Sequence, residues 1–268
     1  MFQVLQKKKL AKDVYLLEIE APEIAKKAKA GQFIILRLDE KGERIPLSIS
    51  DKTKRTITVV FLVVGTTTNN MSKLKKKDKI LDVVGPLGNP TEIDEYGTVC
   101  LIGGGLGIAP IYPIAKAMKK ANNKVITILG ARNKKLIIWE DKLKKVSDQI
   151  IICTDDGSKG MKGFVTDGLK ELIAKEKPNK IWMIGPPVMM KSVAKLTKHQ
   201  IRTTASLNPI MVDGMGMCGC CRVHVGENVK FACCDGPEFD AHLVDWDDLI
   251  NRNTIYSEEE CKKGGCKK

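Results

Sequence analysis

The sequence predicts three units in a row: a small antiparallel β-barrel over residues 1–96, a doubly wound α/β unit over 97–207, and a short cysteine-rich segment over 208–256. A charged tail at 257–268 closes the chain. Three observations carry that reading. Before residue 97 apolar residues recur at every second position, and after it short apolar runs alternate with helical ones. Five of the nine cysteines then crowd between Cys218 and Cys234.

Within the first unit, strands are expected at 14–21, 32–38, 45–50, 56–64 and 80–84. The two-residue period is clearest where Ile57, Val59 and Phe61 alternate with Thr56, Thr58 and Val60. Gly31, Lys41-Gly42 and the run Gly85-Pro86-Leu87-Gly88-Asn89-Pro90 supply the turns. One short helix is expected near 70–76. Several short strands with a single helix suit a barrel.

The second unit opens with a strand at 99–102, a glycine turn, and a helix whose Ile108, Ile111, Ala115 and Met118 share one face. Further strands are expected at 125–129, 149–153 and 181–184. Helices are expected at 137–146, from an Asp167 N-cap through Leu169, Leu172 and Ile173 to a stop before Pro178, and at 188–198. Such alternation builds a parallel sheet covered on both faces.

Composition bounds the rest. With 43% hydrophobic and 29% charged residues the chain is globular. Its longest apolar stretches, such as 57–64, are strand-sized, far below the roughly 18 residues of a membrane span. No basic stretch followed by an apolar one opens the chain, so a cytoplasmic protein is expected. The net charge of +13 comes mostly from scattered lysines, and only 5% of residues are aromatic. That pattern fits a solvated surface or the docking of an acidic protein, not nucleic-acid binding. In a reducing compartment clustered thiols point to metal. Cys100 and Cys153 lie in apolar runs and read as core thiols, while Cys261 and Cys266 in the lysine-rich tail read as idle.

The sharpest motif is Asp213-Gly-Met-Gly-Met-Cys218-Gly-Cys-Cys221 with Cys233 beyond, or D-x4-C-x2-C-x11-C. Plant-type [2Fe–2S] proteins use C-x4-C-x2-C and a distant fourth cysteine. A tight loop has to wrap ligands around a small cluster, and Gly214, Gly216 and Gly219 let the backbone approach it. The expected ligands are Asp213, Cys218, Cys221 and Cys233, with Cys220 and Cys234 as substitutes for the aspartate. Zinc usually wants two paired knuckles, and here there is one C-x2-C plus an adjacent Cys233-Cys234 pair. Zinc and plain reduced thiols are the rival readings.

The second motif, Gly103-Gly-Gly-Leu-Gly107-Ile-Ala-Pro110, reads G-x-G-x-x-P from Gly105. A glycine turn feeding a helix presents free N–H groups to a pyrophosphate, and Pro110 in the first turn loses no hydrogen bond. A plain strand–helix turn is the alternative. Gly130-Ala131-Arg132, Thr154-Asp155-Asp156-Gly157-Ser158 and Gly185-Pro186-Pro187-Val188-Met189 fall at strand C-termini, the ligand edge of such sheets. The acidic Asp155-Asp156 favours NADH over NADPH. No nucleophile constellation stands out, and His199, His224 and His242 read as structural.

Barrel, glycine-turn nucleotide unit and cluster loop, in that order, resemble the ferredoxin–NADP reductase superfamily, specifically its electron-transfer subunits with a C-terminal cluster. The stretch from Ser206 to Gly219, with Ala232-Cys233 and Asp235 to Asp240, is similar to the small subunits of NADH-dependent reduced ferredoxin:NADP oxidoreductases (the sulfide dehydrogenase type). In that family one aspartate and three cysteines hold the cluster. The electron-transfer subunits of dihydroorotate dehydrogenase, with four cysteines, are the related alternative. The resemblance implies an FAD site on the barrel: Pro46, Leu47 and Ser48, with Arg44 one residue ahead of the family's motif position, and Phe61, Leu62, Val63, Gly65, Thr67 and Thr68. It implies an NAD(H) site at Gly103, Gly104, Gly105, Gly107, Pro110, Arg132, Asp155, Gly185, Pro186 and Met189. Electrons would pass from NADH through FAD to the [2Fe–2S] centre, then to a larger partner subunit with a second flavin and [4Fe–4S] clusters. That heterodimer would couple NADH, NADP and ferredoxin. A zinc-stabilised nucleotide-binding regulator is the alternative of a different class.

Overall fold

The structure is a computed structural model that describes residues 1–255; the expected tail at 257–268, with Cys261 and Cys266, lies outside the described residues. In the first unit β1 (Phe2–Ala11) and β2 (Val14–Glu20) form a hairpin, followed by α1 (Pro22–Lys27), β3 (Phe33–Arg37), β4 (Ile45–Lys52) and β5 (Thr56–Leu62). Then come α2 (Thr66–Lys73), β6 (Lys79–Ile80) and β7 (Asp82–Leu87). These strands make one antiparallel sheet in the order β6-β1-β2-β5-β4-β3-β7. Its two edge strands are separated by Leu81 alone, so the sheet curls into a nearly closed barrel around Leu17, Ile19, Ile34, Leu36, Ile57, Val59 and Phe61.

Two details correct the sequence reading. Strand β1 is not among the expected ones, because Lys7, Lys8 and Lys9 mask its alternation. Helix α2 covers 66–73 rather than 70–76: the Thr68 hydroxyl accepts the Val64 and Gly65 amides at 3.0 and 3.1 Å and starts the helix early.

The second unit contains β8 (Thr98–Gly104), α3 (Ile108–Lys120), β9 (Lys124–Ala131), α4 (Glu140–Lys144), β10 (Gln149–Thr154), β11 (Met161–Lys162) and α5 (Val165–Lys175). It ends with β12 (Lys180–Ile184), α6 (Pro187–Thr197) and β13 (Arg202–Ser206). The parallel order β10-β9-β8-β12-β13 is doubly wound, with the short β11 on one edge. The helix expected at 137–146 is only the five-residue α4, since Trp139 adopts a left-handed conformation at φ 55° and breaks the run. Asp167 is not the N-cap of α5 but its third residue; its carboxylate reaches back 3.0 Å to the amide of the actual cap, Phe164.

In the third segment β14 (Arg222–Val225) and β15 (Asn228–Phe231) form a hairpin, β16 (Glu238–Asp240) adds antiparallel to β13, and α7 (Trp246–Asn253) follows. The segment is therefore welded to the nucleotide sheet. Strand β3 reads FIILR because both of its faces are covered: Ile34 and Leu36 point into the barrel, while Phe33 and Ile35 join a core with Met211, Cys221 and Cys233. Val14 and Val60 likewise leave the barrel interior to pack with Val99, Leu101 and Ile108. The three units share cores, which fixes their mutual placement.

Candidate functional site

The order of the nucleotide sheet reverses between β8 and β12, and ligands of such sheets bind outside the strand ends at that reversal. Gly103 and Gly104 end β8, and Gly105–Gly107 form a single 3-10 turn that feeds the 13-residue α3. A side chain on Gly107 would strike the Ile184 carbonyl, so the turn can approach β12 only without a Cβ. Gly105, at φ 55° with open space around it, is the conformational glycine. Pro110 is the third residue of α3. The Met189 sulfur lies across the Gly104 and Gly185 backbones and bridges the two turns, and Pro186 caps α6 beside them. Arg132 and Asp155 are exposed at the tips of β9 and β10. Asp156 is a turn cap, accepting the Ser158 amide at 2.9 Å.

A cleft opens where the three units meet. The barrel gives it Phe33, Pro46, Leu47 and Ser48, the nucleotide unit Ile184, Ser206 and Leu207, and the third segment Asn208, Met211 and Pro237. Of the expected barrel residues, the structure brings Pro46, Leu47 and Ser48 to this cleft. Arg44 is exposed just before β4. Thr67 hydrogen-bonds Glu43 at 3.2 Å, which sets the N-terminus of α2 beside the Arg44 turn. Phe61 instead stacks on Tyr15, ring centroids 5.9 Å apart, within the barrel; Leu62 ends that strand and Val63 follows it, and Gly65 and Thr68 are spent on capping α2. The lining residues from outside the barrel were not foreseen. The one usable signal was β3, whose apolar run is too continuous for a strand with a wet face.

The third segment gathers its donors in two pairs. Cys221 and Cys233 are buried with their sulfurs 3.2 Å apart, one entering β14 and the other leaving β15. Asp213 accepts amide hydrogen bonds from Met215, Met217 and Cys218 at 2.9, 3.0 and 2.7 Å, and the Cys218 thiol bonds its carboxylate. Those amides hold the Asp213 carboxyl below the usual range. Burial, then the neighbouring Cys221 and Cys234 sulfurs, pushes the Cys233 thiol up, so a metal has to displace its proton. The Cys220 sulfur lies against Cys218, reaching its carbonyl at 3.9 Å and its thiol. Arg252 of α7 donates to the Cys220 carbonyl at 3.2 Å and ties the loop down.

Cleft and donors are joined closely. Met211 lies two residues before Asp213, and Pro237 four after Cys233. A Cβ on Gly214 would come within 2.7 Å of Leu87 and 2.8 Å of Ile35, so the loop rests directly on the barrel wall. Asn89 fixes the other side, its amide donating to Gly236 O at 2.6 Å and its Nδ2 to Cys234 O at 3.0 Å. Glu238 is half-buried between Thr91 (2.5 Å) and Trp182 Nε1 (3.2 Å), and the desolvation of its carboxyl raises it. The histidines are structural in two cases: His224 pairs with Asp248 at 3.0 Å and His242 with Thr197 at 3.1 Å.

Residues 208–245 match the iron–sulfur cluster binding domain of dihydroorotate dehydrogenase B, and residues 101–195 the oxidoreductase NAD-binding domain. A Thermotoga maritima protein, the "dihydroorotate dehydrogenase B (NAD(+)), electron transfer subunit homolog", is 50% identical over 96% of this chain and 92% of its own. The Fusobacterium nucleatum electron transfer subunit of dihydroorotate dehydrogenase B is 34% identical over 88% and 94%. This chain belongs to the family of those electron-transfer subunits and their homologues. A solved structure of an NADH-dependent reduced ferredoxin-NADP oxidoreductase, described for flavin-based electron bifurcation, superposes with a TM-score of 0.94 at 48% identity, over 98% of this chain and 96% of that one.

As a family member the chain is an oxidoreductase of ferredoxin-reductase fold with a NAD-binding and an iron–sulfur binding domain. The donors fit that group. Soft thiols and one carboxylate form two pairs, the donor chemistry a two-iron cluster takes. The matched module is an iron–sulfur one, which leaves the zinc-stabilised regulator without support. Among the described residues no helix is long and apolar enough to cross a membrane.

Proposed function

We propose that this chain is the NADH-linked, FAD- and [2Fe–2S]-containing electron-transfer subunit of a flavin-based electron-bifurcating NADH/ferredoxin:NADP oxidoreductase. One observation carries the reading: a single cleft is walled by the barrel, by the β12 end of the nucleotide sheet, and by the two chain segments that run into Asp213 and Cys233. A group held there touches all three units. When bound, the flavin supplies the conversion between two-electron and one-electron transfer, and the cluster carries single electrons.

The residues divide the work by unit, and we take 1–96, 97–207 and 208–256 as the flavin, nucleotide and cluster units. Pro46, Leu47 and Ser48 would hold the flavin ring, with Phe33 and Pro237 excluding water from it. Arg44 and the N-terminal amides of α2 at Thr67 and Thr68 would take its pyrophosphate, with Gly65 shaping the turn; Phe61, Leu62 and Val63 support that wall from the barrel side. Gly103, Gly104, Gly105, Gly107 and Pro110 would cradle the NAD(H) pyrophosphate at the start of α3, flanked by Arg132, Asp155, Gly185, Pro186 and Met189. Asp213 with Cys218, and Cys221 with Cys233, would each take one iron.

The natural partner is a larger flavin- and [4Fe–4S]-bearing subunit, with ferredoxin served through the complex. Anaerobically purified chain should contain one FAD and two irons, and NADH should bleach the flavin absorbance and elicit a [2Fe–2S] EPR signal. A chain without iron or flavin, or an Asp213→Ala variant with an unaltered EPR signal, would overturn the reading. The names of the curated relatives favour a second one, service to a dihydroorotate dehydrogenase. The aspartate standing first in the ligand series favours bifurcation, since the resemblance associates four cysteines with the dihydroorotate enzymes. The co-purifying large subunit decides: one oxidising dihydroorotate supports the second reading, one reducing NADP the first.

A further inference from the structure

Two thiols around the cluster loop have no part in holding the cluster, and one of them sits against a buried ligand. The Cys234 sulfur lies 3.6 Å from that of Cys233. It is fixed there from three sides. Its amide donates to Phe231 O at 3.0 Å, its carbonyl accepts Asn89 Nδ2 at 3.0 Å, and its sulfur fills the space over Gly216. Gly216 has φ 82°, and a Cβ there would stand 2.8 Å from the Cys234 sulfur, so the loop leaves this position bare for the thiol. Cys220, the other spare thiol, lies against the exposed Cys218, on its carbonyl and thiol, whereas Cys234 lies against the buried Cys233.

We propose that the Cys234 thiol is a tuning residue, donating an S–H···S hydrogen bond to the ligand sulfur of Cys233 and raising the reduction potential of the cluster. The inference rests on Cys233 being a ligand. A metal-bound thiolate carries no proton, so in that pair only Cys234 can donate. One added electron makes the cluster and its sulfurs more negative, and a donor aimed at a ligand sulfur stabilises that reduced form more than the oxidised one. The bond is to a protein group rather than to solvent, and the hydrogen-bonded backbone on both sides of Cys234 holds it in place.

The test is an EPR-monitored redox titration of the purified full chain, wild type against Cys234→Ala and Cys234→Ser, with iron counted in each. Cys234→Ala should keep its two irons but favour the oxidised cluster three- to tenfold more, about 28 to 59 mV downward at 59 mV per tenfold. Cys234→Ser, which keeps a donor, should return the potential to or above the wild-type value. A purely structural or solvent-exposure effect would move both variants the same way and overturns the proposal. So does an unchanged or raised potential in Cys234→Ala, or loss of its iron, which would make Cys234 a ligand. A Cys233→Ser chain that keeps full iron and an unaltered signal overturns the ligand set, and this inference with it.

Discussion

The nucleotide unit and the cluster segment hold their shapes by different means. In the first, five parallel strands bury Val99, Leu101, Ile102, Ile126, Ile128 and Met183 completely, under helices whose apolar faces match. In the second, a two-stranded hairpin of four residues a side carries a loop that leaves Met215 and Met217 exposed. Two-stranded hairpins are marginal by themselves. What fixes this one is attachment: Val223, Ala232, Val244, Trp246 and Leu249 join the core of the nucleotide unit, β16 adds to its sheet, and Asn89, Thr91, Arg252 of α7 and the sulfur pair Cys221–Cys233 hold the rest. One region is held by its own buried area, the other by area shared with its neighbours and a few directed bonds. A cofactor loop gains from the second arrangement, because its geometry can follow the ligand.

That contrast can be broken experimentally. The largest effect is expected from Cys221→Ser or Cys233→Ser: iron is lost, and amide hydrogen exchange accelerates through 208–240 while protection of β8 to β13 stays as it was. Acceleration across the whole chain would show the two regions to be one cooperative unit. Next, Leu101→Ala, in the fully buried nucleotide core, should lower the unfolding free energy by about 2–5 kcal/mol in denaturant titration with the iron-to-protein ratio unchanged.

A smaller loss should follow at the joint between barrel and nucleotide unit. Lys142 pairs with Asp51 of β4 at 2.6 Å and lies 4.1 and 4.6 Å from the Trp139 and Tyr112 rings. Lys142→Ala should destabilise by about 1 kcal/mol, read as a lower Tm, and Lys142→Arg should keep most of it.

The smallest effect concerns pH and takes opposite signs in the two regions. Lys144 and Lys159 hold the Glu140 carboxyl below its ordinary value. Its contribution is therefore present above that ordinary value and fades as pH falls through the lowered one. Burial raises Glu238 on β16, so its contribution is present in acid and fades as pH rises through the raised value. Glu140→Gln should flatten the limb below the ordinary glutamate value of a stability–pH curve by less than about 1 kcal/mol, and Glu238→Gln should flatten the limb above that value.

Much of the site was legible because its signals are local. The glycine turn at 103–107 and the thiol spacing from 213 to 233 stand in unbroken stretches of chain, and the strand–helix alternation announced a parallel sheet. Asp167 misled because the first and third positions around a helix start favour the same residue types, and only the Gly163–Phe164 backbone decides between them. Lysines hid β1, whose pairing with β6 covers Phe2 and Gln3 alone, so the stretch holding Lys7 to Lys9 runs along the sheet margin and needs no clean alternation. The cleft lining was out of reach: Phe33, Ser206, Met211 and Pro237 come together across some two hundred residues.

By itself, then, the sequence determined the kinds of element, their order, and the donor atoms available for a cluster, because period, turn chemistry and ligand spacing act over a few residues. Only the tertiary structure decided that those donors fall into two pairs, that Cys234 sits against Cys233 and Cys220 against Cys218, and that barrel, sheet and loop wall a single cleft. Such contacts are set by which faces bury one another. β3 makes the reason plain: its residues demand cover on both sides, and nothing local says that the second cover is the cluster segment.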